Sequence, residues 1–311
     1  EWWNKDWHTN FGTNPDPELP QPNRADFCYQ YEISSAFDDP RVDGVYLDSV
    51  TLWWGAQENY RREHWHYADI PLTFSYATKR PIQLKIFADY EFYKKVSEDM
   101  HQRNKLILSN TFLPVHTFVA HLIDVLGAGE SADIEGFHSP DVLAYLRTLC
   151  YQKPCSHMNY AYMNLDIPLA KKEEAIKKCL LYAIFPGTAP WSDPHVFNSV
   201  RLLFKKYVPI IEEIAQAGWE PVTYAQTSAP GIDIERFRNY IDKGLYFAIR
   251  NTGAEKKEFT VIIDTSQLRI SSGVRRKVIA NLTIKELVYD VSVPFKYKAG
   301  KLRLNLTIDG L

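Results

Sequence analysis

Between about residue 40 and residue 187, short apolar runs alternate with segments of helical period, the pattern of βα units feeding a parallel sheet. Gly44-Val45-Tyr46-Leu47-Asp48 has the character of a buried strand. Asp89 is placed to cap a helix whose apolar face runs Tyr93, Val96 and Met100 and which ends near Asn104. Lys105–Asn110 and Leu122–Gly127 are the next two strands. Ser139-Pro140 joins an N-cap to a proline at the first helical position and opens a helix through Leu149. A short strand near Ser156–Asn159 follows, and a helix from Lys171 leads into Tyr182–Phe185 and the stop Pro186-Gly187.

The pattern then changes. Asp193-Pro194 caps a long amphipathic helix through about Gln216, with Gly218 as its stop, and a Pro-containing connector covers Trp219–Pro230. Beyond residue 240 the period drops to two, in Leu245–Ile249, Phe259–Ile263, Val274–Leu282, Leu287–Val293 and Leu302–Ile308. Asn251-Thr252-Gly253 and Ala299-Gly300 supply turns between them. The first part has roughly five strand candidates at intervals suited to a TIM-type (β/α)8 barrel, three units too few to close one. The expected fold is therefore α/β: residues 1–218 the carboxyl-terminal part of such a barrel, residues 219–311 an antiparallel β-sandwich.

At 311 residues, 45% apolar and 24% charged, the chain can build a large core. A net charge of -2 argues against nucleic acid or a polybasic membrane surface as partner. No apolar run approaches the roughly 20 residues of a membrane span. Aromatic residues reach 14%; such rings stack on sugars and also fill cores, the second being commoner. The chain opens at Glu1 in an aromatic, Pro-rich stretch (Trp2, Trp3, Trp7, Pro15, Pro17) without a signal-peptide pattern, and the expectation is a fragment whose missing barrel units precede Glu1.

Four cysteines make no disulfide framework. Cys150 and Cys155 flank a helix-to-strand turn and could pair in an oxidising compartment; two free, half-buried thiols are the commoner outcome. Asn281 and Asn305 head Asn-Leu-Thr sequons, relevant only to a secreted eukaryotic protein. Nothing fixes the compartment, with a secreted or periplasmic one slightly favoured.

In parallel barrels the reactive groups gather at the carboxyl ends of the strands. Asp48 ends the run Val45–Leu47, where a charge is costly unless it is paired or used. The alternative is an Asp that caps its own loop. Asp43-Gly44-Val45-Tyr46-Leu47-Asp48-Ser49 resembles the strand that carries the nucleophile in retaining (β/α)8 glycoside hydrolases of the α-galactosidase and α-glucosidase clans. The stretch from Glu235-Arg236-Phe237 to Ile249-Arg250-Asn251 resembles the start of the β-sandwich behind such barrels.

The resemblance implies Asp48 as nucleophile after the fourth strand and an acid/base after the sixth. Counting onward, Leu106–Asn110 is the fifth strand and Ile123–Gly127 the sixth, so the acid/base is Glu130, in a turn made tight by Gly127 and Gly129. These clans usually place Asp there, and Glu130 departs from that pattern; Asp124 and Asp133 are the other acids at hand. A retaining pair requires carboxyl groups about 5–5.5 Å apart.

Around them, Trp53 and Trp54 form either a sugar-stacking wall or loop packing, and Glu58, Asn59, Tyr60 and Arg61 could bond sugar hydroxyls. Asn110, His157 and Asn159 end later strands, and Trp191 and Asp193 follow the last. Each alone is more commonly structural; together they offer the lining a sugar pocket wants.

Other chemistries lack their residues. His64 and His66 do not have the spacing of a helical zinc pair, and no phosphate loop or G-x-S-x-G elbow occurs. No metal or cofactor is expected. The expected function is a retaining glycoside hydrolase acting on a carbohydrate substrate, and the alternative is a non-catalytic carbohydrate-binding or structural protein on a barrel scaffold.

Overall fold

A computed structural model describes residues 13–48, 50, 57–69, 72–110, 114–131, 140–187, 194–270 and 275–310, without the side chains of 114–116, 128–131, 140 and 275–276. The chain divides into two compact units, residues 1–129 and 130–311, and the boundary falls inside the strand Val125–Ser131.

In the first unit three parallel strands lie side by side: Gly44–Leu47, Leu106–Ser109 and the start of Val125–Ser131. They pair as Gly44 with Leu106, Leu47 with Ser109 and Ser109 with Leu126. The third strand begins later than Leu122 because the residues before it, Pro114–Leu122, wind into a 3₁₀ helix. It also runs straight through the expected turn at Gly127-Ala128-Gly129-Glu130. A Cβ on Gly127 would stand 2.1 Å from the Ser109 carbonyl oxygen, so this glycine serves close approach of two strands rather than a bend.

The helix Lys85–Gln102 crosses from the first parallel strand to the second and packs on Leu106–Ser109. Its buried Ile86, Phe92, Tyr93, Val96 and Met100 recur at helical spacing. Asn104, at φ 54°, turns the chain out of the helix. The helix starts one turn before Asp89, directly from the strand Pro81–Leu84, so Asp89 is an interior residue and not a cap. Before this helix, Glu58–Asn59, Pro81–Leu84 and Thr73–Phe74 form a small antiparallel sheet.

In the second unit two parallel strands, Cys155–Asn159 and Phe185–Gly187, pair His157 with Pro186. Pro186-Gly187 is thus part of a strand, at the end of the sheet order where a missing N–H costs least. The helices Pro140–Cys150, Leu169–Leu181 and Arg201–Ala217 accompany them, and Tyr162, Ile176, Tyr207 and Ile211 pack into one apolar cluster. The single helix expected from Asp193-Pro194 is two, Pro194–Asn198 and Arg201–Ala217. Ser199 Oγ donates to the Val196 carbonyl at 2.7 Å and competes with the next helical turn. Gly218, at φ 83°, ends the second helix.

Two larger antiparallel sheets belong to this unit. One joins Ala225–Thr227, Lys257–Asp264, Lys301–Ile308 and Phe295–Lys298; the other joins Tyr246–Asn251, Ile232–Phe237 and Trp219–Glu220. Phe259, Val261, Ile263, Leu302 and Leu304 from the first meet Ile232 from the second in one cluster. The expected connector therefore contributes two strands, and the expected strand Val274–Leu282 is the helix Arg275–Ala280. Val278 and Leu282 stand four apart, a spacing that serves a helix face and leaves a short apolar run ambiguous. Leu287–Val293 is reduced to the second arm of a hairpin, Lys285–Glu286 with Val291–Ser292. The chain is mixed α/β, with five parallel strands and several antiparallel sheets among the described residues.

Candidate functional site

The strand Gly44–Leu47 delivers Asp48 at its carboxyl end, and the neighbouring strand delivers Asn110 at the equivalent place. Asn110 Nδ2 donates to Asp48 Oδ1 at 2.8 Å. The Asn110 backbone N–H donates to the Leu47 carbonyl at 2.8 Å, and its own carbonyl accepts from Val50 N–H at 3.2 Å. Asn110 is buried and Asp48 exposed, so one buried amide positions an accessible carboxylate and the turn behind it.

Asp48 opens on a pocket of 630 Å³, within the size range of small-molecule sites. Gly44–Asp48 forms one wall, and Lys85, Asp89, Phe92 and Tyr93 are among the residues of the rest. Asp89 is only 4% exposed and holds Lys85 Nζ with both oxygens, at 2.6 and 2.8 Å. Burial raises the Asp89 carboxyl above the usual range, against the opposing pull of Lys85. Burial likewise raises the Tyr93 phenol, with Asp89 and then Asp48 adding to the effect, so Tyr93 stays protonated beside two carboxylates. The pocket therefore contains an exposed acid and a buried acid. Asp89 and Tyr93 were read from sequence as a cap and a core residue; the Lys85/Asp89 spacing of i, i+4 was the available signal for their pairing.

The other polar residues of this unit divide between surface and interior. Glu58 is exposed and accepts from the Tyr60 hydroxyl, which also lies 3.0 Å from Thr78 Oγ1. Arg61 pairs with Glu63 at 2.8 Å on the surface. Asn59 Nδ2 lies 3.2 Å from Gln83 Oε1 and 3.1 Å from His64 Nδ1. Burial and then Arg61 hold His64 below the usual histidine range, which favours the neutral ring with Nδ1 as acceptor. Glu58, Asn59, Tyr60 and Arg61 are not among the described residues that line the Asp48 pocket. Asp124 precedes Val125–Ser131, at its amino end, where it holds His101 Nε2 at 2.9 Å and accepts from Ile107 N–H at 2.9 Å.

In the second unit His157 lies within Cys155–Asn159, fully buried, and Asn159 ends it, also fully buried. Asn159 Oδ1 accepts from Ala161 N–H at 2.7 Å and caps the 3₁₀ turn Tyr160–Met163. Trp53, Trp54, Asp133, Trp191 and Asp193 lie outside the described residues, as does the side chain of Glu130, whose backbone is in the strand Val125–Ser131. Among the described residues no group of three or more His, Cys, Asp or Glu could hold a metal ion, and no helix is long and apolar enough to cross a membrane.

No family model matches the chain, and no curated protein does. Among solved structures, the chain is weakly similar to an α-fucosidase of Thermotoga maritima in complex with fucose, at 11% identity and a TM-score of 0.29. The match covers 72% of this chain and 44% of that one, so the chain spans less than half the length of that structure.

Proposed function

We propose that the protein is a retaining glycoside hydrolase, with residues 1–218 as the carboxyl-terminal part of a (β/α)8 barrel and residues 219–311 as a β-sandwich. The observation that carries the proposal is the exposed Asp48 carboxylate, one residue past a parallel strand, positioned by Asn110 and opening on a 630 Å³ pocket. The resemblance of Asp43–Ser49 to the nucleophile strand of such enzymes supports the same role. In this mechanism Asp48 attacks the anomeric carbon and forms a glycosyl-enzyme, while Glu130 protonates the leaving oxygen and then activates water. Trp53, Trp54 and Trp191 stack on sugar rings.

The test is turnover on a panel of aryl glycosides. Asp48→Asn is expected to lower kcat by about 10³-fold or more, and Glu130→Ala to lose less on substrates with good leaving groups and to recover partly with azide. Mass spectrometry of the wild type with a slow 2-fluoro glycoside is expected to find one sugar on Asp48. Sugar binding without hydrolysis would overturn the enzyme reading in favour of a carbohydrate-binding protein. Full turnover by Asp48→Asn would remove Asp48 from the mechanism.

A further inference from the structure

The helix Pro140–Cys150 ends on one thiol and the strand Cys155–Asn159 begins on another. The turn between them doubles back: Tyr151 takes φ 49°, Tyr151 N–H donates to the Arg147 carbonyl at 2.8 Å, and Lys153 N–H donates to the Cys150 carbonyl at 2.9 Å. Both cysteines are buried, Cys155 completely, yet Tyr151 beside them is half exposed. The turn that joins the two cysteines reaches the surface.

Arg147 lies one helical turn before Cys150 and is 2% exposed. Its Nη1 donates to the carbonyls of Tyr151 at 3.0 Å and Lys153 at 3.3 Å. Its Nε and Nη2 meet no hydrogen-bond partner among the described residues. A buried guanidinium with two bare N–H groups is costly, and an anion beside it offsets that cost. Cys155 lies within charge and hydrogen-bonding reach of this guanidinium. The hydrogen-bonding contact with Cys150 and the charge of Arg147 hold the Cys155 thiol below the usual range, against burial. The same contact, with burial, raises Cys150, which keeps its proton. Cys179 is also buried, and burial pushes its thiol up to about 12, so it shares none of this activation.

We infer that Cys150 and Cys155 form a redox-active dithiol that a small hydroperoxide converts to a disulfide, with Cys155 as the attacking sulfur and Arg147 as its positioning cation. The Cys155 thiolate attacks one peroxide oxygen, the O–O bond breaks, and the leaving hydroxide takes a proton to become water. The resulting Cys155 sulfenic acid is attacked by the Cys150 sulfur: an S–S bond forms, the S–O bond breaks, and water leaves with the Cys150 proton. Two thiols and one hydrogen peroxide give one disulfide and two waters, each sulfur losing one electron to the peroxide oxygens. Peroxide is close to water in size, so it can reach a buried site where a bulky disulfide reagent cannot.

The full chain is treated with hydrogen peroxide, denatured in maleimide, digested and weighed. The peptide holding both cysteines is expected to be lighter by two hydrogens and unlabelled, while Cys179 is alkylated. Cys150→Ser is expected to leave a Cys155 sulfenic acid that dimedone captures, and Cys155→Ser to leave Cys150 unmodified. Maleimide labelling of both thiols after peroxide exposure, or dimedone capture at Cys150 in Cys155→Ser, overturns the inference. Where a variant does not fold, the wild type decides: dithiothreitol added after peroxide is expected to restore maleimide labelling of both thiols, whereas oxygen added to either cysteine with no disulfide formed sinks the proposal.

Discussion

Two of the parallel strands in this chain lead to polar side chains that the fold puts to different uses. Gly44–Leu47 leads to Asp48, which is exposed and accepts from a side chain of the next strand. Cys155–Asn159 buries Cys155, His157 and Asn159 on one face, and Asn159 turns its oxygen onto a backbone N–H two residues ahead. In sequence the two stretches look alike: a short run with polar residues at its carboxyl end. The partner is what separates them. An amide that bonds its own chain stabilises a turn, and a carboxylate held by a neighbouring strand over a pocket is available to a ligand.

Replacement separates the two strands most strongly in stability. His157→Ala removes a fully buried ring and is expected to cost about 2–4 kcal/mol, read as a lower urea midpoint. Asp48→Asn keeps an oxygen facing Asn110 and is expected to stay within about 0.5 kcal/mol of the wild type. If His157→Ala instead kept its midpoint and raised KM for a sugar substrate, His157 would belong with Asp48 as a ligand-contacting residue, and the contrast would fail.

A narrower comparison sets the two asparagines against each other. Asn159→Ala loses a cap and is expected to cost about 1 kcal/mol, with turnover unchanged. Asn110→Ala is expected to cost a similar amount and also to lower kcat by roughly 10–100-fold, because the carboxylate it positions is released. Equal kinetics for the two variants would show that Asn110 is a structural residue only.

Much of the framework was legible because it rests on period. Gly44–Leu47, Leu106–Ser109 and Cys155–Asn159 are short apolar or alternating runs, and the helices between them carry stripes at helical spacing. Gly218 and Asn104 were readable as stops because each takes a positive φ. Where the pattern was short it failed: Arg275–Ala280 fits either period, and the strands at Trp219–Glu220 and Ala225–Thr227 are too brief to show one. Gly127-Ala128-Gly129 looked like a turn because glycine marks both bends and close strand contacts, and only the neighbouring Ser109 carbonyl distinguishes them. The places of Asp48 and Asn110 at the ends of neighbouring strands were legible. Asp89 was not, because its role depends on a buried ion pair with Lys85 and on a pocket wall that no local pattern records.

The smallest expected effect concerns that second acid, and it contrasts the buried carboxyl of the pocket with the exposed one. Burial raises the folded-state pKa of Asp89 above its ordinary 3.8, with Lys85 opposing. The folded chain then holds this proton more tightly than the unfolded chain does. Stability contributed by Asp89 is greatest below the unfolded value and falls as pH rises through the window from that value to the folded one. Asp89→Asn removes the titration, so the difference between wild type and variant should drift with pH in that window, the wild type losing ground as pH rises. Urea midpoints taken at half-unit steps upward from about pH 3.5 read this directly. A drift of the opposite sign would mean that the Lys85 pair outweighs burial and that Asp89 is a structural anion. No drift at all would mean that burial and the Lys85 pair cancel, so that folding leaves the hold of Asp89 on its proton unchanged.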